Sequence, residues 1–286
     1  MNFVLFHIGL SFPTHVRQCI QNIKHFNPSS KIYFLTEIDV ISNSSPDVEY
    51  IDVRDFDSYQ LLKSNIFISS YHASLFRNSL FRFFFINEFI KKRGLKNVIH
   101  FDNDVLVFED YSKHLAAFET GDIFITPHSL NEYVCGTMYI KNNIDIICDY
   151  FAGLIFKDEQ TLVSYAGQGF MPNEMRLLSK LDQEKKCFSL LPILPLGKFS
   201  HNFNGFKSLF DPSSYGQHIG GTPDRPEGGW VAAQNGHRAI DPLLTNRTID
   251  IVFENKLPYI DVMLTGKYIK LNNLHIHSKQ LSKYSI

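Results

Sequence analysis

The chain has 286 residues, 44% of them hydrophobic and 20% charged, with 28 Lys and Arg against 29 Asp and Glu for a formal net charge of −1. That apolar content excludes a disordered chain, and the near-zero charge excludes a protein that works mainly by laying a basic surface on nucleic acid. A polyanionic ligand would have to be met by a local site. The 26 Phe, twice the 13 Tyr, are the unusual feature of the composition.

The first element, residues 2–8, reads as a β-strand: it is apolar but lacks the basic start and long apolar run of a signal peptide. Pro13 stands where a helix favours its first turn, and Val16, Ile20, Ile23 and Phe26 recur at helical spacing. Residues 31–36 and 48–53 are two further strands. A long helix is predicted over 72–92, with Gly94 just beyond its Lys91-Lys92-Arg93 end as a C-terminal cap. The apolar strand 97–101 then runs into Asp102-Asn103-Asp104. Beyond it, 122–126 and 132–141 read as strands, and 142–156 and 158–166 as helices. Residues 197–247 hold half of the glycines and read as a long loop region, which inside a compact domain is usually functional.

Strand alternating with helix predicts an α/β fold, a mostly parallel sheet flanked by helices. We read one domain over 1–286, with a nucleotide-type half at 1–125 and an irregular acceptor-binding half at 126–286. No stretch approaches the roughly 20 apolar residues that span a bilayer. Cys19, Cys135, Cys148 and Cys187 form no C-x-x-C pair. The expectation is a cytoplasmic protein with reduced thiols and no transmembrane segment.

Two D-x-D triplets occur, and position separates them. Asp55-Phe56-Asp57 lies in a polar segment that starts a helix, where acids complement the helix dipole. Asp102 and Asp104 follow an apolar strand, at the carboxyl end where open α/β sheets bind ligands. Two carboxylates at an apolar sheet edge need compensation. Oxygen ligands in this arrangement suit Mg²⁺ or Mn²⁺.

The run Leu80-Phe81-Arg82-Phe83-Phe84-Phe85-Ile86 followed by Val98-Ile99-His100-Phe101-Asp102-Asn103-Asp104-Val105-Leu106-Val107-Phe108 resembles the D-x-D region of GT-A-fold glycosyltransferases, the glycogenin-like and the bacterial or viral surface-glycan enzymes. The resemblance implies a GT-A (Rossmann-like) fold and a nucleotide-sugar donor bound through Mn²⁺ or Mg²⁺. It places Asp102 and Asp104 on the metal, Asn103 in the same nucleotide-binding turn, and Arg82, with Arg77 as the alternative, beside the nucleotide or the metal carboxylates. It also implies a late His as metal ligand, followed by a Lys on the diphosphate. Leu274-His275-Ile276-His277-Ser278-Lys279 offers both, and in a strand both His side chains share a face. We favour His277 with Lys279, and His275 is the alternative.

The resemblance extends to Val134-Cys135-Gly136-Thr137, which is similar to the strand beside the donor sugar and makes Gly136 a donor-binding position. Cys135 departs from the family pattern and leaves the donor sugar open. Lys157-Asp158-Glu159-Gln160 resembles the acidic helix start near the acceptor and makes Asp158, then Glu159, the candidates for a general base. Asp211-Pro212-Ser213-Ser214-Tyr215-Gly216-Gln217-His218-Ile219-Gly220-Gly221 is similar to a stretch of surface-polysaccharide transferases, and the single Trp230 is placed to stack on a sugar. The expected activity is metal-dependent transfer of a sugar, from a UDP-sugar, to a hydroxyl of a glycan acceptor, with no nucleic-acid partner. The alternatives are a metal-dependent nucleotidyltransferase, disfavoured because His7-Ile8-Gly9-Leu10-Ser11 supplies one Gly and no Lys, and a non-catalytic glycan-binding protein of the same fold.

Overall fold

A computed structural model of the chain describes residues 1–8, 13–37, 48–64, 74–157, 173–217, 219, 222–224, 229–231 and 251–285. Its centre is a seven-stranded sheet. In chain order the strands are β1 (Asn2–His7), β2 (Lys31–Thr36), β3 (Val48–Asp52), β4 (Val98–His100), then β6 (Ile123–Ser129), β7 (Glu132–Ile140) and β8 (Ser189–Leu190), with the short β5 (Val105–Val107) outside the sheet. The spatial order is β3-β2-β1-β4-β7-β6-β8. All neighbours run parallel except at β7, which is antiparallel to both β4 and β6. The fold is therefore α/β with a mostly parallel sheet, as the alternation of elements predicts.

The apolar strands are continuous runs because both faces of the sheet are covered. Side chains alternate between two cores with period two. Phe3 and Leu5 of β1, Ile32 and Phe34 of β2, and Ile99 face α1 (Thr14–Phe26) through its Val16, Cys19, Ile20 and Ile23. Val4, Tyr33, Leu35 and Val98 face α3 (Ser74–Arg93), where Phe81, Phe85 and Phe89 are buried. The helix α2 (Asp57–Ser64) lies on the same crossover, its first turn held by Glu88 of α3, which accepts from the Asp57 and Ser58 amides at 3.0 and 2.9 Å. Helix α3 ends where the sequence predicts, at Gly94 in the left-handed region (φ 59°), with the Leu95 amide bonded to the Ile90 carbonyl at 3.0 Å.

The second half departs from the sequence reading in detail. The helix expected over 142–156 is shorter: α4 spans Asp145–Ala152 and passes into a π-helical turn, Gly153–Lys157. The helix expected over 158–166 lies outside the described residues. Helix α5 (Glu174–Lys185), which the reading left unassigned, starts at Asn173, whose Oδ1 accepts from the Arg176 amide at 2.9 Å. That is an ordinary N-cap. In the loop-rich stretch β9 (Thr222–Asp224) and β10 (Gly229–Val231) form an antiparallel ribbon. At the C-terminus β11 (Ile251–Glu254), β12 (Leu257–Ile260) and β13 (Ile269–Lys270) make a small antiparallel sheet, and β14 (Asn273–His275) pairs antiparallel with β5. Glu109, just past β5, links these parts: it accepts from Lys113 Nζ at 2.8 Å and from Lys270 Nζ of β13 at 2.7 Å. Among the described residues no helix is long and apolar enough to cross a membrane.

Two stability predictions follow from this packing. The fully buried Phe118 stacks on Tyr139 with ring centroids 4.3 Å apart and meets Phe124 and Phe206 edge-on; Phe118→Ala should cost about 3–5 kcal/mol in chemical denaturation. Burial raises the Glu109 pKa, but Lys113 and Lys270 outweigh it and bring the carboxyl down to about 2. An acid with a depressed folded pKa stabilises above its unfolded value, near 4.5, and loses that contribution as pH falls toward 2. Glu109→Gln should therefore lose about 1 kcal/mol at pH 6, screening of this half-buried pair included, and the gap to the parent should close toward pH 2.

Candidate functional site

Strand β4 lies at the centre of the sheet and ends at His100, so the chain leaves the sheet at its carboxyl edge through Asp102, Asn103 and Asp104. The Val105 amide bonds to the Asp102 carbonyl at 3.2 Å and closes the turn. His100 is buried and hydrogen-bonds the Val4 carbonyl of β1 at 2.8 Å, while Asn103 Nδ2 donates to the Phe6 carbonyl at 2.8 Å. Both contacts fasten the acidic turn to the end of the neighbouring strand. Burial, then the Arg82 charge, takes the His100 pKa down to about 4, so the ring is neutral at ordinary pH.

The second half of the site arrives from the C-terminus. The β5–β14 register sets His275 opposite Val105, and the Ile276 amide donates to the Asp104 carbonyl at 2.8 Å. This puts His275 Nε2 2.9 Å from Asp104 Oδ1 and 3.8 Å from Asp102 Oδ2. One ligand atom from each of Asp102, Asp104 and His275 lies within 4.8 Å of the others. After Ile276 the strand ends. Lys279, in the left-handed region at φ 60°, turns back so that its Nζ meets Asp104 Oδ2. From α3, the buried Arg82 places Nη1 on Asp102 Oδ1 and Nη2 3.2 Å from Glu174 Oε1.

The electrostatics follow from this crowding. Burial opposes ionisation of Asp104, but His275 and Lys279 outweigh it and hold the carboxyl far below the usual range. Asp102 is likewise lowered, burial being outweighed by Arg82 and His275. For His275 burial is outweighed by Asp104, and its pKa rises. Glu174 is the exception: burial dominates its Arg82 partner, and its pKa is raised. The residues border a cleft of about 560 Å³, which His7, His15 and Ser213 also line. That volume lies in the range of small-molecule sites.

Of the positions singled out from the sequence, Arg82, Asp102, Asn103, Asp104, His275, His277 and Lys279 come together at this cleft. Of the two histidines that the resemblance offers as metal ligand, His277 and its alternative His275, it is His275 that lies against both carboxylates, with the His277 ring centroid 4.4 Å from its own. The strand stops at His275, and His277 Nε2 lies 2.9 Å from Ser213 Oγ. Burial, then His275, pushes the His277 pKa down to about 3. Gly136 does not border the cleft; a Cβ there would stand 3.7 Å from His275 Nδ1 and 3.5 Å from the Asp211 carbonyl, so the glycine backs the histidine. Val134, two residues earlier in β7, borders the cleft instead. Asp158, Glu159, Gly220 and Gly221 lie outside the described residues, as do the side chains of Arg77 and Trp230.

Two further residues shape the site. Glu174 closes the Arg82 guanidinium from the far side, and its only signal in the sequence is an acid directly after an N-cap asparagine. Asp211, fully buried, gathers backbone amides: Oδ1 accepts from Tyr215 at 2.9 Å, and Oδ2 from Gly216 at 2.9 Å and His275 at 2.7 Å. It clasps the 211–216 turn to the strand that carries His275.

No protein-family model matches the chain, and no curated protein matches it with significance. Solved structures give distant likenesses. Mouse xyloside xylosyltransferase 1 in its apo form aligns over 67% of this chain and 85% of its own at 9% identity, with a TM-score of 0.48. The PaToxG glycosyltransferase aligns over 65% and 69% at 12% identity, TM-score 0.43. The galactosyltransferase LgtC, in complex with donor and acceptor sugar analogues, aligns over 67% and 73% at 11% identity, TM-score 0.40. At such scores the functional reading rests on the site itself.

The clasp generates a prediction. A Cβ at Gly216 would lie 2.5 Å from the His275 carbonyl oxygen and 2.8 Å from both the His275 nitrogen and Asp211 Oδ2. Backbone cannot rotate away, so Gly216→Ala should destabilise by about 1–3 kcal/mol. Gly205→Ala, where the nearest atom is the Ala117 Cβ at 3.3 Å, should cost clearly less in the same denaturation experiment.

Proposed function

We propose that this protein is a metal-dependent glycosyltransferase that moves a sugar from a nucleotide diphosphate donor, a UDP-sugar, to a hydroxyl of a glycan acceptor. The observation that carries the reading is the convergence of Asp102, Asp104 and His275 within 4.8 Å at the carboxyl end of β4. It supplies two carboxylate oxygens and one imidazole nitrogen, with the open cleft for the remaining ligands. The donor set fits a divalent cation: His275 Nε2 is turned toward both carboxylates, and a mixed oxygen and nitrogen set favours Mn²⁺ over Mg²⁺. In this reading Asp102, Asp104 and His275, rather than His277, hold the ion. When bound, the cation would supply Lewis-acid chemistry toward the diphosphate, held by Asp102, Asp104 and His275.

The chain's own residues do the rest. Lys279 and Arg82 bring positive charge to the rim where the diphosphate is held, each already compensating one carboxylate of the pair. Asn103 and His100 fasten the acidic turn to β1 through the Phe6 and Val4 carbonyls. Near-neutral overall charge is compatible with a polyanionic donor, because its charge is met by one ion and two side chains.

A panel of UDP- and GDP-sugars, assayed for hydrolysis with and without Mn²⁺, tests this reading. Turnover with a UDP-sugar that needs the metal is expected; no turnover and no donor binding at millimolar Mn²⁺ sinks it. Asp104→Asn and His275→Ala should each lower metal-dependent turnover by about 100-fold or more, with the fold retained by circular dichroism. His277→Ala should keep most of it. The reverse ranking of the two histidines would move the metal to His277.

A further inference from the structure

A second surface feature has no part in the cleft. The connection from β12 to β13, residues 261–268, and the turn 195–198 meet around a hollow of about 200 Å³, lined in part by Pro195, Leu196, Val262, Met263, Lys267 and Ile269. None of these borders the cleft. Large apolar side chains of the two loops are turned outward: Leu196 is 67% exposed, Leu264 54%, Tyr268 51% and Met263 36%. Only two other large hydrophobic residues are exposed among the described residues, Leu130 and Ile146, so the exposure is concentrated here. The loops are also built to hold these side chains out. The Leu264, Thr265 and Gly266 amides all bond to Asp261, the first to its carbonyl at 3.1 Å and the other two to its buried carboxylate. Leu264 is kept in the left-handed region at φ 53°, which a residue with a side chain adopts only where its surroundings impose it. In the other turn the Ser200 amide donates to the Gly197 carbonyl at 3.2 Å, and the carbonyl of the buried Phe199 accepts from the Ile193 and Leu194 amides at 3.1 and 3.2 Å.

The charge offered by the two loops is of one sign. Lys198 and Lys267 are exposed, and Asp261, the only acid within 195–198 and 261–268, is buried and committed to the loop's own amides. An occupant must therefore accept leucine and methionine side chains, a tyrosine ring and two lysines, and must offer negative charge. A second copy of the chain fits poorly: a stable interface takes about 20–30 residues a side, and a two-fold pairing of this patch would bring the lysines of both copies together. An anionic bilayer fits. Its acyl boundary takes leucine and methionine, and its headgroup layer takes tyrosine and lysine. A tip with three consecutive amides bonded internally enters that layer at less desolvation cost. We infer that residues 196–198 and 263–268 form a docking surface for an anionic membrane, with Leu196 and Leu264 seated in its interface.

Flotation of the full chain with lipid vesicles tests this. Binding is expected to vesicles of mixed phosphatidylcholine and phosphatidylglycerol, with little to phosphatidylcholine alone, and it should weaken as NaCl is raised. The double variants Leu196→Ser/Leu264→Ser and Lys198→Ala/Lys267→Ala should each lower the partition coefficient by about tenfold or more. Circular dichroism should not change, because all four side chains are exposed. Tyr268→Trp puts a reporter in the loop. Measured against the parent, whose single tryptophan is Trp230, its added emission should move to the blue and be quenched by brominated lipid when anionic vesicles are added. No binding to anionic vesicles overturns the inference, and so does binding that the double variants retain or that needs no phosphatidylglycerol. An unshifted emission from vesicle-bound Tyr268→Trp overturns it as well. A parental dimer in sedimentation that Leu196→Ser/Leu264→Ser abolishes, with no vesicle binding, overturns it in favour of a second copy.

Discussion

Two carboxylates at the carboxyl end of one central strand, Asp104 buried and Asp102 half-buried, are the constraint on which the rest of this molecule depends. An isolated ionised carboxylate out of water is very costly, and one that loses its partner costs several kcal/mol. Asp102 and Asp104 lie two residues apart at the end of β4, where apolar strands and Phe101 and Phe108, both fully buried, leave little water to solvate them. The fold answers with cations from two separate stretches of chain: Arg82 from α3, and at the C-terminus His275, the last residue of β14, with Lys279 just beyond it. The C-terminal strand docks on β5 in a register that delivers this charge.

The compensation has a chemical consequence. Under the proposed function, the charges that neutralise the carboxylates in the protein alone are also those a diphosphate would meet. A site built this way holds its acids ionised at any ordinary pH, because the neighbouring cations outweigh burial at both positions. Rigidity comes from groups that carry no charge to the cleft. Asn103 and His100 bind backbone carbonyls of β1, and Asp211 and Gly216 clamp the backbone of His275 itself. The phenylalanine excess belongs to the same economy of shape: Phe81, Phe85 and Phe89 of α3 fill one core, and Phe101, Phe108 and Phe118 the other.

Much of the first half was legible in the sequence because its signals are local. Continuous apolar strand runs, the periodic face of α1, the glycine after Lys91-Lys92-Arg93 and the acids after an apolar strand each report on neighbours a few residues away. The second half was legible only in part. Residues 142–156 look helical throughout, yet the regular helix is eight residues, Asp145–Ala152, before it widens into a π turn. Glu174 carries no mark of its partner, because the partner, Arg82, is 92 residues away.

The sequence by itself determined the class of fold, the position of Asp102 and Asp104 at a strand's carboxyl end, and the pool of cations available to them: local patterning decides which segments are strands and which helices, and where an apolar strand stops. Only the tertiary structure decided which histidine faces the acids. His275 and His277 are equivalent by strand periodicity. The choice was made by the register of β5 against β14, by the end of the strand at His275, and by Ser213, which takes up His277. Register, strand ends and pairings between distant segments depend on how whole elements pack, and no window of the sequence contains them.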